Sequence, residues 1–158
     1  MPETRTSSPP ITGRPIELLL VEDNLGDVRL AEEALKQVEA PHRLTVARDG
    51  EAAVELLAKA GGSHEAALPD LILPDLNLPR KDGRQLLEEI KADPRLKRIP
   101  VIIMTTSGNE DDVMTAYDLN ANAFVRKPLG VENFLELIRA IEAFWLRSAI
   151  LPTLQLKA

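Results

Sequence analysis

Cysteine is absent from this sequence, and histidine and aromatic residues are scarce, with two His and 3% Phe, Trp and Tyr. Without cysteine there are no disulfides and no thiolate metal sites, so a bound metal would need oxygen ligands or a histidine. No apolar run approaches the roughly 20 residues that span a membrane. Residues 1–15 also lack the apolar segment of a secretory signal. We therefore expect a cytoplasmic protein without a membrane segment.

Basic residues are outnumbered, because 19 Lys and Arg stand against 25 Asp and Glu, a formal net charge of −6. Nucleic-acid binding needs clustered Lys and Arg, so we expect protein partners and hard cations instead. The length of 158 residues suits one domain. We predict a disordered leader over residues 1–15, which are rich in Pro, Ser and Thr, a domain over 16–147 and an apolar tail over 148–158.

Within the domain, short apolar runs alternate with longer stretches of helical period. This pattern is typical of a parallel sheet covered by helices on both faces. It predicts strands over residues 16–22, 43–47, 69–74, 100–105 and 123–126. It predicts helices over residues 25–39, 53–60, 84–92, 111–119 and 131–147. The fold class is therefore α/β, with a five-stranded parallel sheet and a long final helix.

Pro74 ends the third predicted strand, directly before Asp75. Proline has no N–H to donate and is usually excluded from central strands. If this strand is central, one hydrogen bond between strands is missing. We therefore expect an irregular strand at Pro74 within the same fold.

Polar side chains stand at the carboxyl ends of four predicted strands. They are Glu22 and Asp23 after the first, Asp75 after the third, Thr105 at the end of the fourth and Lys127 after the fifth. In open parallel sheets, ligands bind outside these ends. Three carboxylates gathered there repel one another unless a cation or a shared proton offsets the repulsion. Mg²⁺ is the natural occupant, since it prefers oxygen ligands.

Such a site has a definite chemistry. With Mg²⁺ bound, a carboxylate can attack the phosphorus of a phosphohistidine, because the cation screens the charge between the two anions. Lys127 and Thr105 are available to stabilise the charge on the phosphoryl oxygens. Each residue taken alone has an ordinary explanation as a strand end, a helix cap or a turn. Together, at successive strand ends, they indicate a functional site.

Four motifs in order resemble the response-regulator receiver domain of two-component signalling. They are LLLVEDN at 18–24, DLILPDLNLPRKDG at 70–83, PVIIMTTS at 100–107 and AFVRKP at 123–128. The resemblance covers residues 16–147 and implies the flavodoxin-like receiver fold. It also implies a regulator that accepts a phosphoryl group from a histidine kinase and switches protein interactions. Such a protein is not an enzyme in the usual sense, although it catalyses its own phosphorylation and slow dephosphorylation.

A narrower resemblance is to single-domain regulators that work with bacterial and cyanobacterial phytochromes. It is carried by EDNLGDVRLAEEAL at 22–35, LNLPRKDG at 76–83 and AIEAFWL at 140–146. The implied partner is a phytochrome kinase, which in bacteria is a bacteriophytochrome.

The resemblance also assigns the acceptor and the metal ligands by position. Asp75 corresponds to the phosphoacceptor. Glu22 and Asp23 correspond to the acidic pair, with Asp23 the more direct Mg²⁺ ligand. The backbone carbonyl of Asn77 would complete the ligands that the protein supplies.

The remaining assignments concern switching and lifetime. Thr105 resembles the hydroxyl that turns towards the phosphoryl group, and Lys127 resembles the ammonium that contacts it. Phe124 occupies the place of the aromatic switch, which moves inward once Thr105 has moved. Ser107 and Asn77 stand where such domains tune the lifetime of the phosphoryl group.

Two other functions are open to a sequence of this kind. A phosphatase of the haloacid dehalogenase type also uses an aspartyl phosphate and Mg²⁺, but it generally needs a second Asp where this chain has Asn77. A receiver-like interaction module that takes no phosphate is favoured only by Pro74, and the set Asp23, Asp75, Thr105 and Lys127 argues against it.

The last helix and the tail are unusually apolar. Their apolar side chains are Phe134, Leu137, Ile138, Ile141, Phe144, Trp145, Leu146, Ala149, Ile150, Leu151, Leu154 and Leu156. Contiguous apolar surface of this kind tends to mark a protein contact. Either the tail folds back on its own domain, or it pairs with a second copy in a homodimer, for which two-fold symmetry is the default. Resemblance to the phytochrome-associated group favours the dimer.

Overall fold

The computed structural model describes residues 15–60 and 67–152 of the chain. Five strands and five α-helices alternate along this part of it. The strands are β1 (Ile16–Val21), β2 (His42–Ala47), β3 (Leu71–Pro74), β4 (Ile102–Thr105) and β5 (Ala123–Arg126). The helices are α1 (Leu25–Leu35), α2 (Gly50–Lys59), α3 (Gly83–Ala92), α4 (Glu110–Asp118) and α5 (Val131–Ile141). The predicted leader, apart from Pro15, and tail residues 153–158 lie outside the described residues.

The first four helices begin where an Asn or Asp side chain caps the first turn. Asn24, Asp49, Asp82 and Asn109 each accept a hydrogen bond from the backbone N–H three residues later. Such caps satisfy N–H groups that have no partner inside the helix. The α/β alternation predicted from the sequence is confirmed, although α1 ends earlier than the predicted residue 39. After Leu35 the backbone tightens into bonds between residues three apart, from Gln37 to Ala34 and from Val38 to Leu35.

The strands are parallel but do not form the continuous five-stranded sheet that was predicted. β1 pairs with β2 and β3, and β4 pairs with β5. The two sets meet at an isolated bridge between Ile72 and Val101, where the Ile72 N–H donates to Pro100 O at 3.0 Å. In a regular ladder the N–H two residues later would point at the same neighbouring strand, and that residue is Pro74. The missing donor explains the interruption and the irregularity expected at this position.

Apolar side chains pack on both faces of the strands. Alternate residues of β1 point in opposite directions, and all of its residues except Glu17 are buried. Leu19 and Val21 pack with α2 and α3, while Leu18 and Leu20 pack with α1 and α5. Two cores therefore hold the strands between helices, which is why β1 reads as a nearly unbroken apolar run.

The predicted final helix over 131–147 is only partly α-helical. α5 ends at Ile141, and a π-helical segment continues it over Glu142–Ser148. Hydrogen bonds between residues five apart bring such residues onto the same face. Accordingly Leu146, five residues after Ile141, is also buried in the core. None of the helices among the described residues has the length and apolar character of a membrane span.

Candidate functional site

Four of the predicted site residues meet at the carboxyl ends of the strands. The pairing of β1 with β3 places Glu22 beside Asp75, whose N–H donates to Val21 O at 3.0 Å. The pairing of β4 with β5 places Thr105 beside Lys127, whose N–H donates to Thr105 O at 2.8 Å. All four side chains are buried. The strand order thus gathers residues that are far apart in the sequence, as predicted.

The Lys127 ammonium is the centre of this group. Its Nζ donates to Asp75 Oδ2 at 2.7 Å and to Asp27 Oδ2 at 2.9 Å, and it also contacts Glu22 Oε2. Burial alone would lower the pKa of Lys127, but the hydrogen bonds from Nζ to these three carboxylates raise it above its ordinary value. Lys127 is therefore a fixed cation at physiological pH.

Asp75 is the most heavily contacted carboxylate of the site. Its Oδ1 accepts from the Thr105 hydroxyl at 2.8 Å and from the Asn77 N–H at 2.9 Å, while Oδ2 accepts from Lys127. Burial would raise the pKa of Asp75, but Lys127, Asn77 and Thr105 together outweigh burial and lower it. Asp75 is consequently an ionised carboxylate in a buried position.

Glu22 accepts fewer hydrogen bonds than Asp75, and its pKa shifts in the opposite direction. Its Oε1 accepts from the Asn24 N–H at 3.0 Å and its Oε2 from Lys127. Burial raises the pKa of Glu22 to about 6, although the bonds from Lys127 and Asn24 oppose the shift. The negative charge of Asp75 adds to the increase.

Close packing of the backbone holds Asp75 in place. Gly83 begins α3 directly against it, and a Cβ on Gly83 would lie 2.2 Å from the carbonyl oxygen of Asp75. Only glycine permits this approach without displacement. The Gly83 N–H also donates to Leu76 O at 2.9 Å. The glycine of the DLILPDLNLPRKDG motif therefore fixes α3 beside the site.

Asp27 belongs to the site but was missed by the sequence analysis. It lies in the first turn of α1, where its N–H donates to the capping Asn24 Oδ1 at 3.1 Å. Its position in the sequence could have indicated this, because the first turn of a helix that follows a strand lies at the same edge of the sheet as the strand end. Asp23, which was predicted, is instead exposed and lies at the rim.

The remaining predicted residues surround this group. Asn77 is exposed, and its contact with Asp75 is made by its backbone N–H. The Ser107 N–H donates to Thr105 Oγ1 at 3.3 Å. Phe124 is half-buried against the core, and its N–H donates to the Tyr117 hydroxyl at 3.2 Å.

The carboxylate oxygens of this group are suitable ligands for a hard cation. Three carboxylates, those of Glu22, Asp27 and Asp75, share one ammonium, so negative charge is in excess. Among the described residues no three His, Asp or Glu side chains are grouped as a ready metal site. Oxygen atoms are nevertheless the ligands that Mg²⁺ prefers, and it commonly takes only one or two carboxylates and keeps several waters.

Known proteins resemble this chain in sequence and in fold. Residues 18–139 match the response regulator receiver domain family. Response regulator Rcp1 of Synechocystis sp. is 46% identical over 138 residues, which cover 87% of this chain and 94% of Rcp1.

Two solved structures are similar throughout. The Mn(2+)-bound form of Rcp1 has a TM-score of 0.83 at 46% identity and covers 88% of this chain and 100% of that one. The phosphorylated cyanobacterial phytochrome response regulator RcpA has a TM-score of 0.83 at 47% identity, with coverage of 88% and 99%. Sequence and fold therefore agree, and the chain belongs to the response-regulator receiver family.

Proposed function

We propose that this protein accepts a phosphoryl group on Asp75 from a histidine kinase. The observation that carries the proposal is the Asp75 carboxylate, which is buried, ionised and contacted by both Lys127 Nζ and the Thr105 hydroxyl. An anion in this position is a nucleophile that already lies among the donors a phosphoryl group would need.

The transfer is a displacement at phosphorus. One Asp75 oxygen forms a bond to the phosphorus of a phosphohistidine, and the P–N bond breaks with its electron pair passing to the imidazole. Lys127 donates hydrogen bonds to the phosphoryl oxygens, which replace Asp75 Oδ2 as its partner. Thr105 supplies a second donor. Both residues act on charge that develops in the transition state, and both lie close to the acceptor beforehand.

A divalent cation would be held by Glu22, Asp23, Asp75 and the carbonyl oxygen of Asn77. When bound, Mg²⁺ supplies positive charge between the carboxylates and the incoming phosphoryl group. The excess of carboxylates over ammonium groups supports this assignment. The exposed position of Asp23 supports a role at the solvent side of the ion.

Phosphorylation would be read out through Thr105 and Phe124. When Thr105 turns towards the phosphoryl group it leaves space beside β4, and half-buried Phe124 on the neighbouring β5 moves inward. Ser107 and Asn77 flank the acceptor and would tune the lifetime of the phosphoryl group, since each donates a backbone N–H into the site.

The kinase partner would be a phytochrome, in bacteria a bacteriophytochrome. Similarity to RcpA, described as a cyanobacterial phytochrome response regulator, supports this partner.

The absence of cysteine supports a cytoplasmic location.

The second partner would be another copy of the chain. Phe144 and Ile150 are 55% and 78% exposed at the end of the last helix and the start of the tail. Leu146 and Leu151 instead pack on the chain's own core, so only part of this apolar segment is left for a homodimer contact.

The test is labelling with [³²P]acetyl phosphate. The wild type should take up about one phosphoryl group per chain with Mg²⁺ and little in EDTA, because the acceptor is a single carboxylate. Asp75→Asn is the matched control, since the amide is nearly isosteric but is not a competent nucleophile. Full labelling of that variant would remove Asp75 from the acceptor role. Turnover of p-nitrophenyl phosphate would favour the phosphatase instead.

A further inference from the structure

The hydroxyl of Ser107 makes a contact that the proposed function leaves unexplained. It donates to Asp112 Oδ2 on α4. The other carboxylate oxygen, Asp112 Oδ1, accepts from Arg84 Nη2 on α3. Hydrogen bonds from Ser107 and Arg84 hold the pKa of Asp112 below its usual range. An ionised carboxylate therefore ties the loop after β4 to the first turns of two helices.

This contact is continuous with the acceptor. The Ser107 N–H donates to Thr105 Oγ1 at 3.3 Å, and the Thr105 hydroxyl donates to Asp75 Oδ1 at 2.8 Å. Asp75 is thus linked to Arg84 through Thr105, Ser107 and Asp112. The inner members of this chain of hydrogen bonds are buried, while the outer three are half-buried.

The arrangement fixes where the proton of the Ser107 hydroxyl lies. A hydroxyl carries one proton, and here that proton is donated to Asp112. It is therefore not available to an oxygen atom or a water at Asp75. The next residue of the loop is also held, because Arg126 Nη2 donates to Gly108 O at 2.6 Å. The loop is anchored on two sides, by α4 and by β5.

We propose that Asp112 and Arg84 are positioning residues that hold Ser107 and the loop beside Asp75, and that they thereby lengthen the lifetime of the phosphoryl group. The inference rests on the proposed function of Asp75. In hydrolysis, a water oxygen bonds to phosphorus, and the bond from phosphorus to the Asp75 oxygen breaks with its electron pair returning to the carboxylate. The protons of the water leave with inorganic phosphate. Releasing Ser107 frees a hydroxyl for this water and loosens the loop.

The experiment is a double-mutant cycle on the rate of dephosphorylation. Wild type, Asp112→Ala, Ser107→Ala and the double variant are labelled with [³²P]acetyl phosphate and Mg²⁺, desalted and followed by loss of label. Asp112→Ala should shorten the half-life roughly three- to ten-fold, the range expected from one lost hydrogen bond. In the Ser107→Ala background the same change should have less than about a two-fold effect.

Three further variants make the cycle specific. Arg84→Met should shorten the half-life in the same direction, because it leaves Asp112 with one donor fewer. Asp112→Asn should shorten the half-life less than Asp112→Ala does, because its amide oxygen still accepts from Ser107 although its NH2 group cannot accept from Arg84. Glu89→Gln breaks the exposed pair of Glu89 with Lys81 on the same helix α3 and should leave the half-life unchanged.

The outcomes separate the two proposals. An equal effect of Asp112→Ala with and without the Ser107 hydroxyl, or no effect at all, would overturn the positioning role while leaving Asp75 as acceptor. A wild-type protein that takes no label would overturn the proposed function and this inference with it. If Asp112→Ala does not fold, the same cycle is run with Arg84→Met, and additive effects there overturn the inference.

Discussion

Lys127 Nζ lies 2.7 Å from Asp75 Oδ2 while it also binds Glu22 and Asp27, so a single buried ammonium serves three carboxylates. One cation therefore holds the site together, while the carboxylates, whose negative charge is in excess, repel one another. We therefore expect the stability of the free protein to depend on Lys127, on pH and on added metal.

The first prediction concerns Lys127→Ala. Removing one partner of a buried ion pair leaves uncompensated charge, so the variant should lose about 3 kcal/mol of unfolding free energy in EDTA. Added Mg²⁺ should recover part of that loss, because the carboxylates remain. Urea denaturation with and without Mg²⁺ measures both effects. Labelling by acetyl phosphate should be impaired as well.

Lys81→Ala is the matched control, since it breaks an exposed ion pair with Glu89 and should change stability by less than about 1 kcal/mol. If Lys127→Ala lost its Mg²⁺ affinity but kept normal transfer, the role given to Lys127 would be wrong.

The second prediction concerns the pH dependence of stability at Glu22. Its folded pKa of about 6 lies above the ordinary 4.5. The stability that protonated Glu22 contributes is therefore full below pH 4.5 and is lost as the pH rises through 6. The shift corresponds to about 2 kcal/mol. Glu22→Gln stays neutral and should lack this loss.

The measurement is the difference in unfolding free energy between wild type and Glu22→Gln, in EDTA, from pH 4.5 to pH 7.5. The wild type should lose about 2 kcal/mol relative to the variant over this range. If the difference in unfolding free energy stayed constant over this pH range, the pKa of Glu22 would not be raised by burial. Mg²⁺ should reduce the loss, because it favours the ionised carboxylate.

Much of the site could be predicted because strand ends converge. Glu22, Asp75, Thr105 and Lys127 each follow or end an apolar strand, and parallel pairing places such residues together without further information. Asp27 is different, since it follows a strand end by several residues and only its place in the first turn of α1 could have indicated it. Arg84 and Asp112 lie on different helices and 28 positions apart in the sequence, and no local pattern predicts the bond between them.

Two features of the fold were predicted only in part. Pro74 indicated a missing hydrogen bond. It did not indicate that only a single bridge would remain between β3 and β4, because that outcome depends on how the two strands face each other. The π-helical turn after Ile141 was missed, because Ala143 to Leu146 is an unbroken apolar run that shows no period.

The third prediction is that Pro74→Leu stabilises the fold by about 1 kcal/mol, because it restores an N–H that can donate to Ile102 O on β4. Pro74→Ala restores the same donor without adding a large side chain and should act in the same direction. Urea denaturation gives the change in stability, and hydrogen exchange should find the new amide protected. A lower denaturation midpoint for both variants would contradict the explanation of the interrupted sheet.

The last prediction is that the full-length protein sediments as a homodimer at micromolar concentration through the exposed part of its last helix and tail. Phe144 and Ile150 are exposed, and the Phe144 and Trp145 rings meet edge-on with their centroids 5.1 Å apart. Apolar surface of this kind is what a two-fold contact would bury. Truncation after Arg147 should give a monomer, although it also removes Leu151 from the core.

Surface substitutions test the dimer without disturbing that core. Phe144→Glu combined with Ile150→Glu should give a folded monomer, because a charge in the centre of an apolar contact is left unpaired. Leu129→Glu is the matched control, since Leu129 is 90% exposed before α5 and lies outside this surface, so it should leave the dimer intact. Sedimentation velocity, with and without acetyl phosphate, measures the oligomeric state of the wild type, the truncated chain, the double variant and Leu129→Glu. If the wild type is a monomer under both conditions, the tail serves only its own domain, because Leu146 and Leu151 already pack there and Phe144 and Ile150 would face solvent.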